Sequence, residues 1–257
     1  MRLERITLNE ERNVTLTVML QEEGSSSFVE KRPAVIVIPG GAYEYCSDRE
    51  ADPVAFRFFA AGYQAFILRY SVAEHKTWPN PLTDYETAIG LIRERSAEWR
   101  VFPDKIAVCG FSAGGHLAGA AATVSLNRPN AAILGYAVTN EYIRTCNPDG
   151  PNLCEEVDEL TPPCFLFATR TDDVVPVMNT LELTEALVEQ GISLGGLQTL
   201  GCVFPCMPTY ADGSDTPYIV ELNQRMEGQG VPPFPGYDTE NWYGGGRVQY
   251  GPEYLSL

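Results

Sequence analysis

The chain has 257 residues, of which 44% are hydrophobic and 20% are charged. This length suits one α/β domain with a large core, and the composition excludes a disordered chain. The 34 acidic and 18 basic residues give a formal net charge of −16. Such a surface disfavours nucleic acid and anionic membranes as partners, and suits neutral small-molecule substrates or simply favours solubility.

The N-terminus and the cysteines indicate a compartment. Residues 1–5 carry no apolar signal-peptide core, and no window approaches 18 uninterrupted apolar residues. The seven cysteines are irregularly spaced and the chain has only two histidines, which disfavours a zinc site and predicts free thiols in a reducing compartment. We therefore expect a soluble, cytoplasmic protein without a metal.

Strand and helix patterns alternate along most of the chain. Alternating polarity at residues 13–20 predicts an edge strand, and residues 24–27 predict a turn. Helices are expected at 52–61, at 83–97, in the small-residue segment after 112 and at 177–189, and buried strands at 34–38, 64–70, 105–109, 131–138 and 164–168. This order predicts an α/β fold with a mainly parallel central sheet and helices on both faces.

The pattern weakens toward the C-terminus. Residues 140–160 predict an excursion over the sheet edge, and glycines interrupt the weak strand pattern of residues 193–201. A short helix is expected at 216–227. Residues 228–257 are rich in Gly, Pro and Tyr without periodicity, which predicts an irregular tail after a domain at 1–227.

A G-x-S-x-G sequence at residues 110–114 separates a predicted strand from a predicted helix. This context is typical of a nucleophile elbow, a sharp turn that lifts a serine clear of the sheet. The small neighbours of Ser112 permit such a strained turn. Ser112 is therefore the candidate nucleophile; the alternative is a chance match or a helix cap.

The segment after the strand at 34–38 is the candidate oxyanion loop. Residues 39–43 read P-G-G-A-Y, and glycines allow backbone N–H groups to face a developing negative charge. We expect the amides of Gly41 and Ala42 to bind the oxyanion, together with the amide of Ala113 after the nucleophile. The alternative is a turn that only ends the strand.

The candidate acid follows the strand at 164–168. Asp172 and Asp173 lie on a loop at the carboxyl edge of the predicted sheet, where ligands bind in α/β folds. One of them could orient a catalytic base, and Asp172 is preferred over Asp173. The alternative role is an Asx-turn or a cap of the following helix.

Together these residues resemble the α/β-hydrolase superfamily, and more closely its acetyl-esterase and acetylxylan-esterase branch, the BD-FAE-like carbohydrate esterases. Four ordered motifs between residues 13 and 190 carry the resemblance. They are the P-G-G-G-Y-like loop at 39–43, the R-Y…P-x-P-L-x-D-like segment at 69–84, the G-F-S-A-G-G-H-L-A match at 110–118 and the D-x-V-V-P-V match at 172–177. The resemblance implies serine esterase chemistry on acetyl groups, with Asp172 as the acid and neither a metal nor an organic cofactor.

The chain departs from this family at the base. The family carries a G-x-H-G-F-like loop after the last strand, but residues 200–205 contain no histidine, and neither does any position from 117 to 257. His116 belongs to the elbow helix, where a structural hydrogen-bonding role is expected. For His75, on a loop, a surface or packing role is expected.

Three hypotheses account for the missing base: a reading-frame slip near residue 193, a degenerate hydrolase that binds acylated ligands, or another residue acting as base. The expected function is hydrolysis of short acetyl esters, on small molecules or oligosaccharides. The alternatives are a general short-chain carboxylesterase or lipase-like enzyme, and a catalytically impaired binding protein. Sequence leaves the oligomeric state and the acyl acceptor undetermined.

Overall fold

A seven-stranded sheet runs through residues 1–22 and 30–192, the part of the chain that the computed structural model describes. Its strand order is β1-β2-β4-β3-β5-β6-β7. β2 pairs antiparallel with both β1 and β4, whereas β4, β3, β5, β6 and β7 are parallel neighbours. The strands are β1 (Arg2–Asn9), β2 (Val14–Leu20), β3 (Arg32–Ile38), β4 (Gln64–Arg69), β5 (Val101–Phe111), β6 (Ala131–Gly135) and β7 (Cys164–Phe167).

Helices cover both faces of this sheet, as predicted. The alternating residues of β3 show the division: Ile36 belongs to a large core cluster, and Val35 and Val37 belong to a smaller one on the opposite face. α1 (Asp52–Ala60) packs on the smaller cluster, and the large cluster contains buried residues of α2 (Asn80–Glu94), α3 (Ser112–Thr123) and α4 (Met178–Glu189). Because both faces of the sheet are buried, its parallel strands consist of nearly continuous apolar residues.

One predicted strand position is wrong. The segment at 13–20 was expected at the sheet edge, but β2 lies between β1 and β4. The edge is β1, which the sequence pattern did not reveal because the charged residues Arg2, Glu4 and Arg5 interrupt its apolar ones. Charged side chains are common on edge strands, where they oppose pairing with another chain.

The remaining elements agree with the predictions apart from their ends. α2 begins and ends three residues before the predicted range, and β6 is shorter than predicted. The excursion at 140–160 contains two short 3₁₀ turns, Glu141–Thr145 and Leu153–Glu155. The predicted turn at 24–27, strand at 193–201, helix at 216–227, domain boundary at 227 and tail at 228–257 lie outside the described residues.

The strand register brings four strand ends to one edge. Ile38 of β3 pairs with Gly110 of β5, and Gly135 of β6 pairs with both Phe111 of β5 and Phe167 of β7. The segments that follow these ends therefore emerge side by side. This edge is where ligands bind in open α/β sheets.

A buried carboxylate joins the antiparallel end of the sheet to α2. Asp84 accepts hydrogen bonds from the Arg12 guanidinium at 2.5 Å, the Ser71 amide at 2.8 Å and the Ser71 hydroxyl at 2.5 Å. Its side chain is only 2% exposed. A charge so deeply buried needs these partners, because an unpaired ion in the interior is costly.

We expect Asp84→Ala to lower the free energy of unfolding by about 3–5 kcal/mol, because it leaves Arg12 without its carboxylate and Ser71 without its acceptor. Urea unfolding followed by circular dichroism measures this change. Asp104→Ala removes an exposed carboxylate of β5 and is expected to change stability by less than about 0.5 kcal/mol. Equal effects of the two substitutions would contradict the assignment.

Candidate active site

Ser112 lies at a strained turn between β5 and α3. Phe111 ends the strand, and Ser112 is both the first helical residue and a residue with φ of +52°. A non-glycine residue in this left-handed region costs roughly 1–2 kcal/mol. Strand, strained serine and helix are the predicted elbow, and that local geometry is confirmed.

Two backbone segments meet at this elbow without room for a side chain. A Cβ on Gly114 would lie 2.3 Å from the carbonyl oxygens of both Ile38 and Pro39. A Cβ on Gly40 would lie 2.9 Å from the Cβ of Ser112. The oxyanion loop after β3 therefore lies in direct contact with the nucleophile elbow.

Three peptide units carry the N–H groups that are predicted to bind an oxyanion, and in each of them the carbonyl oxygen accepts a hydrogen bond. The bonds run from Ser47 N to Gly40 O at 2.9 Å, from Glu44 N to Gly41 O at 2.8 Å, and from Val138 N to Ser112 O at 3.2 Å. In a trans peptide the N–H points away from its carbonyl.

The N–H groups on the other side of these peptides are those of Gly41, Ala42 and Ala113. None of the three has a hydrogen-bond partner within the described ranges, 1–22 and 30–192. Oriented donors without a protein partner suit the binding of an oxyanion.

Ala42 occupies the position of the family's third glycine. Its φ is +53°, and that of Tyr43 is +61°. Both residues are therefore held in the left-handed region, where glycine is favoured. The loop bears this strain because Tyr43 is fully buried and its carbonyl accepts the Ala73 N–H at 2.7 Å.

Asp172 lies on the loop after β7 and makes the Asx-turn that was the alternative interpretation. Its Oδ1 accepts the N–H groups of Val174 at 3.0 Å and Val175 at 2.9 Å. Its other oxygen, Oδ2, has no hydrogen bond to any residue in the described ranges. The same carboxylate could therefore hold its own loop and still orient a base, whereas Asp173 is exposed.

His116 has the predicted structural role. Its Nε2 lies 2.9 Å from the carbonyl oxygen of Pro151, which can only accept, so Nε2 carries the proton. Nδ1 then accepts the hydroxyl of Tyr43 at 2.7 Å. The ring is fully buried, and burial lowers its pKa to about 4. Both nitrogens are occupied, so His116 does not serve as the base for Ser112.

In the described ranges no hydrogen bond joins His75 or a cysteine to Ser112 or Asp172. His75 is partly exposed, and its Nε2 is 3.8 Å from a carboxylate oxygen of Glu74. The five cysteines of the described ranges are free, as predicted for them. In those ranges no three His, Cys, Asp or Glu residues gather into a group that could hold a metal ion.

Sequence reasoning missed Tyr43 as the partner of His116 and Glu50 as a neighbour of the oxyanion loop. Tyr43 lay within a recognised motif, but its hydrogen bond joins residues 73 positions apart. Glu50 lies in a 3₁₀ turn, Asp48–Glu50, that no periodic pattern marks. Neither contact has a signal in the sequence alone.

Comparison with known proteins gives the family. Residues 25–141 match the BD-FAE family model. The solved structure of MGS-M1, described as an alpha/beta hydrolase enzyme from a Medee basin deep-sea metagenome library, is 44% identical with a TM-score of 0.70, and the match covers 75% of this chain and 78% of that one. The chain belongs to the α/β-hydrolase superfamily. Within it, the BD-FAE match makes the chain similar to a carbohydrate-esterase-like branch.

Two curated relatives of this α/β hydrolase are longer proteins. Endo-1,4-beta-xylanase B of Butyrivibrio fibrisolvens is 35% identical over 63% of this chain, and the acetylxylan esterase of Xylanibacter ruminicola is 26% identical over 68%. The chain spans 30% and 42% of the lengths of these proteins. In the described ranges, no helix of the hydrolase is long and apolar enough to cross a membrane.

We expect Ala42→Gly to leave the hydrolase as stable as before or up to about 1 kcal/mol more stable. Glycine removes the left-handed strain at φ of +53°, and its larger conformational entropy in the unfolded chain offsets part of that gain. In contrast, Ala186→Gly within α4 should destabilise by about 1 kcal/mol. Thermal unfolding measures the stability of both variants. A clear loss of stability in Ala42→Gly would show that Ala42 is not strained.

We expect His116 to make stability depend on pH. The unfolded chain binds a proton at this ring below its ordinary pKa of 6.5, whereas the folded protein does not until about pH 4. Stability is therefore present above pH 6.5 and is lost as the pH falls through this window, by up to about 3 kcal/mol.

Urea unfolding between pH 4 and 7 measures this effect. His116→Gln removes the titrating ring and should flatten the pH dependence relative to the unsubstituted protein. His75→Gln, at the other histidine of the chain, is the matched control. An identical slope in all three proteins would show that His116 titrates normally.

Proposed function

We propose that this chain is a serine esterase that hydrolyses short acyl esters, chiefly acetyl groups on carbohydrate. The contact between the oxyanion loop and Ser112 carries the proposal, since a Cβ at Gly40 would lie 2.9 Å from that of Ser112. Such contact places a nucleophile beside backbone donors, which is the arrangement that acyl transfer requires.

In the proposed mechanism, the Ser112 hydroxyl attacks the ester carbonyl. The amides of Gly41, Ala42 and Ala113 bind the oxygen that becomes negative, and each such donor contributes about 3–4 kcal/mol to the transition state. The alcohol leaves, and water then releases the acyl group from the serine. The amides need no reorganisation, because the carbonyls of their peptide units are already held.

Proton transfer is the incomplete part of this mechanism. Asp172 has one carboxylate oxygen without a partner in the described ranges, which suits the orientation of a histidine. His116 is occupied on both nitrogens, and residues 117–257 contain no histidine. The chain is therefore expected to react slowly, because loss of one triad member leaves roughly a 10³–10⁴-fold acceleration over water.

The carbohydrate preference draws on the relatives. The curated relatives named above are a xylanase and an acetylxylan esterase. We infer acetylated xylan-type oligosaccharides as the substrate class, with the excursion at 140–160 among the loops that would contact the sugar. Small soluble esters and oligosaccharides are the proposed partners, in the cytoplasm, without nucleic acid or membrane.

A second candidate function is the binding of acylated ligands without turnover. The hydrogen bonds of His116 favour it, since this histidine of the elbow helix has no free nitrogen to accept the serine proton. The scaffold would then retain the oxyanion amides for binding alone. One reagent distinguishes the two candidates.

We expect a fluorophosphonate to modify Ser112, but more slowly than it modifies a serine esterase with a complete triad. Intact-protein mass spectrometry gives the rate, and peptide mapping gives the residue. Ser112→Ala should abolish the modification. Ser96→Ala removes a half-buried serine at the end of α2 and should react like the unsubstituted protein.

The outcomes separate the candidates. No modification, together with calorimetric binding of an acetylated oligosaccharide that persists in Ser112→Ala, would favour the binding protein. Modification as fast as in a complete esterase would show that an effective base exists. Rates with 4-nitrophenyl acetate, longer acyl esters and acetylated xylo-oligosaccharides then rank the substrates.

A further inference from the structure

Glu50 holds the oxyanion loop at Gly40. It ends the 3₁₀ turn Asp48–Glu50 that precedes α1. Its Oε2 accepts the N–H of Gly40 at 2.8 Å, and its Oε1 accepts the hydroxyl of Tyr136 at 2.8 Å. No step of the mechanism above uses this carboxylate.

The contact with Gly40 completes the fixation of one peptide unit. The carbonyl of Pro39 accepts the buried hydroxyl of Tyr70 at 2.9 Å, and the N–H of the same peptide is donated to Glu50. Both ends of the Pro39–Gly40 peptide are therefore held. The next carbonyl, that of Gly40, accepts the N–H of Ser47.

These bonds determine where the next amide points. Because Ser47 holds the carbonyl of the Gly40–Gly41 peptide, the Gly41 N–H on the other side of that peptide is directed away from Ser47. Ser47 and Glu50 thus hold two successive peptides. Without the bond to Glu50, the Pro39–Gly40 plane could rotate and carry the Gly41 amide with it.

Glu50 is also close to the reacting centre. A Cβ on Gly40 would lie 2.8 Å from Glu50 Oε2 and 2.9 Å from Ser112 Cβ. The carboxylate oxygen and the Ser112 Cβ are therefore no farther apart than the sum of these distances. A small displacement of Glu50 would therefore reach the catalytic groups, and a misplacement of about 1 Å can lower the rate by a factor of 10².

The second contact joins the loop to the other strand ends. Tyr136 follows β6, has φ of +35°, and donates its N–H to Phe167 O at 2.6 Å. Its ring contacts Phe111 and Phe167 at the ends of β5 and β7. Through Tyr136, Glu50 links the oxyanion loop to the strand that precedes the acid loop.

We propose that Glu50 is a positioning residue that orients the oxyanion amide of Gly41. The inference rests on the proposed esterase function. The Gly40 N–H can only donate, so it requires the acceptor that Glu50 supplies, and the Tyr136 hydroxyl donates to the other carboxylate oxygen. A glutamine could still accept the Gly40 N–H and donate its NH₂ to the Tyr136 hydroxyl, so alanine is the substitution that removes both contacts.

The kinetics of fluorophosphonate modification test this proposal. Glu50→Ala should lower the maximal rate of Ser112 modification by about 10- to 100-fold, less than the loss of a whole oxyanion donor. The reagent concentration at half-maximal rate should stay unchanged, because the amide acts mainly in the transition state. Tyr136→Phe removes one of the two contacts and should give a smaller decrease.

Asp48→Ala is the matched control. Asp48 lies on the same turn, but its side chain is 86% exposed and pairs with Arg69, so the substitution removes a carboxylate without touching the loop. It should leave the modification rate unchanged. An equal decrease in Asp48→Ala and Glu50→Ala would show that the loss of any carboxylate on this turn is sufficient, and would overturn the proposal.

Amide hydrogen exchange gives a readout that does not depend on catalysis. Glu50→Ala should speed exchange at the Gly40 amide, measured by mass spectrometry on peptides that cover residues 39–45, while Asp48→Ala should not. If the unsubstituted protein is never modified, the esterase proposal fails and exchange still decides the role of Glu50. Unchanged exchange in Glu50→Ala overturns the proposal, as does a rate loss that only follows a loss of folded protein.

Discussion

The candidate site depends on one steric constraint, the contact of two backbone segments without intervening side chains. Gly114 at the start of α3 lies against the carbonyls of Ile38 and Pro39, and Gly40 lies against Ser112. A close-packed interior has no room for an added side-chain atom at these glycines. The backbone contact therefore sets the distance between Ser112 and the oxyanion loop, and it requires the strained backbone conformation of Ser112.

Buried polar contacts then fix orientation. Tyr43 and His116 join the oxyanion loop to the elbow helix, and His116 continues the chain to the carbonyl of Pro151. The Tyr43 hydroxyl and both ring nitrogens of His116 thus have partners, as burial requires. The histidine that the family motif carries beside the nucleophile is thus a neutral connecting group, and the base of a complete triad would have to come from elsewhere.

Local patterns predicted the parallel part of the fold well. Apolar runs identified β3 to β7 in sequence, because strands buried on both faces need continuous apolar residues. The G-x-S-x-G context predicted the turn at Ser112, because small residues between a strand and a helix permit positive φ. β1 escaped detection, since a half-exposed strand with charged side chains resembles a polar loop.

The sequence by itself determined the family, the order of the motifs and the absence of any histidine after residue 116. These are properties of local residue types and spacing. Only the tertiary structure decided which carbonyls are held, hence where the amides of Gly41, Ala42 and Ala113 point, and that Glu50 and Tyr136 meet across 86 positions. Such contacts depend on strand order and register, which bring together side chains that no local pattern relates.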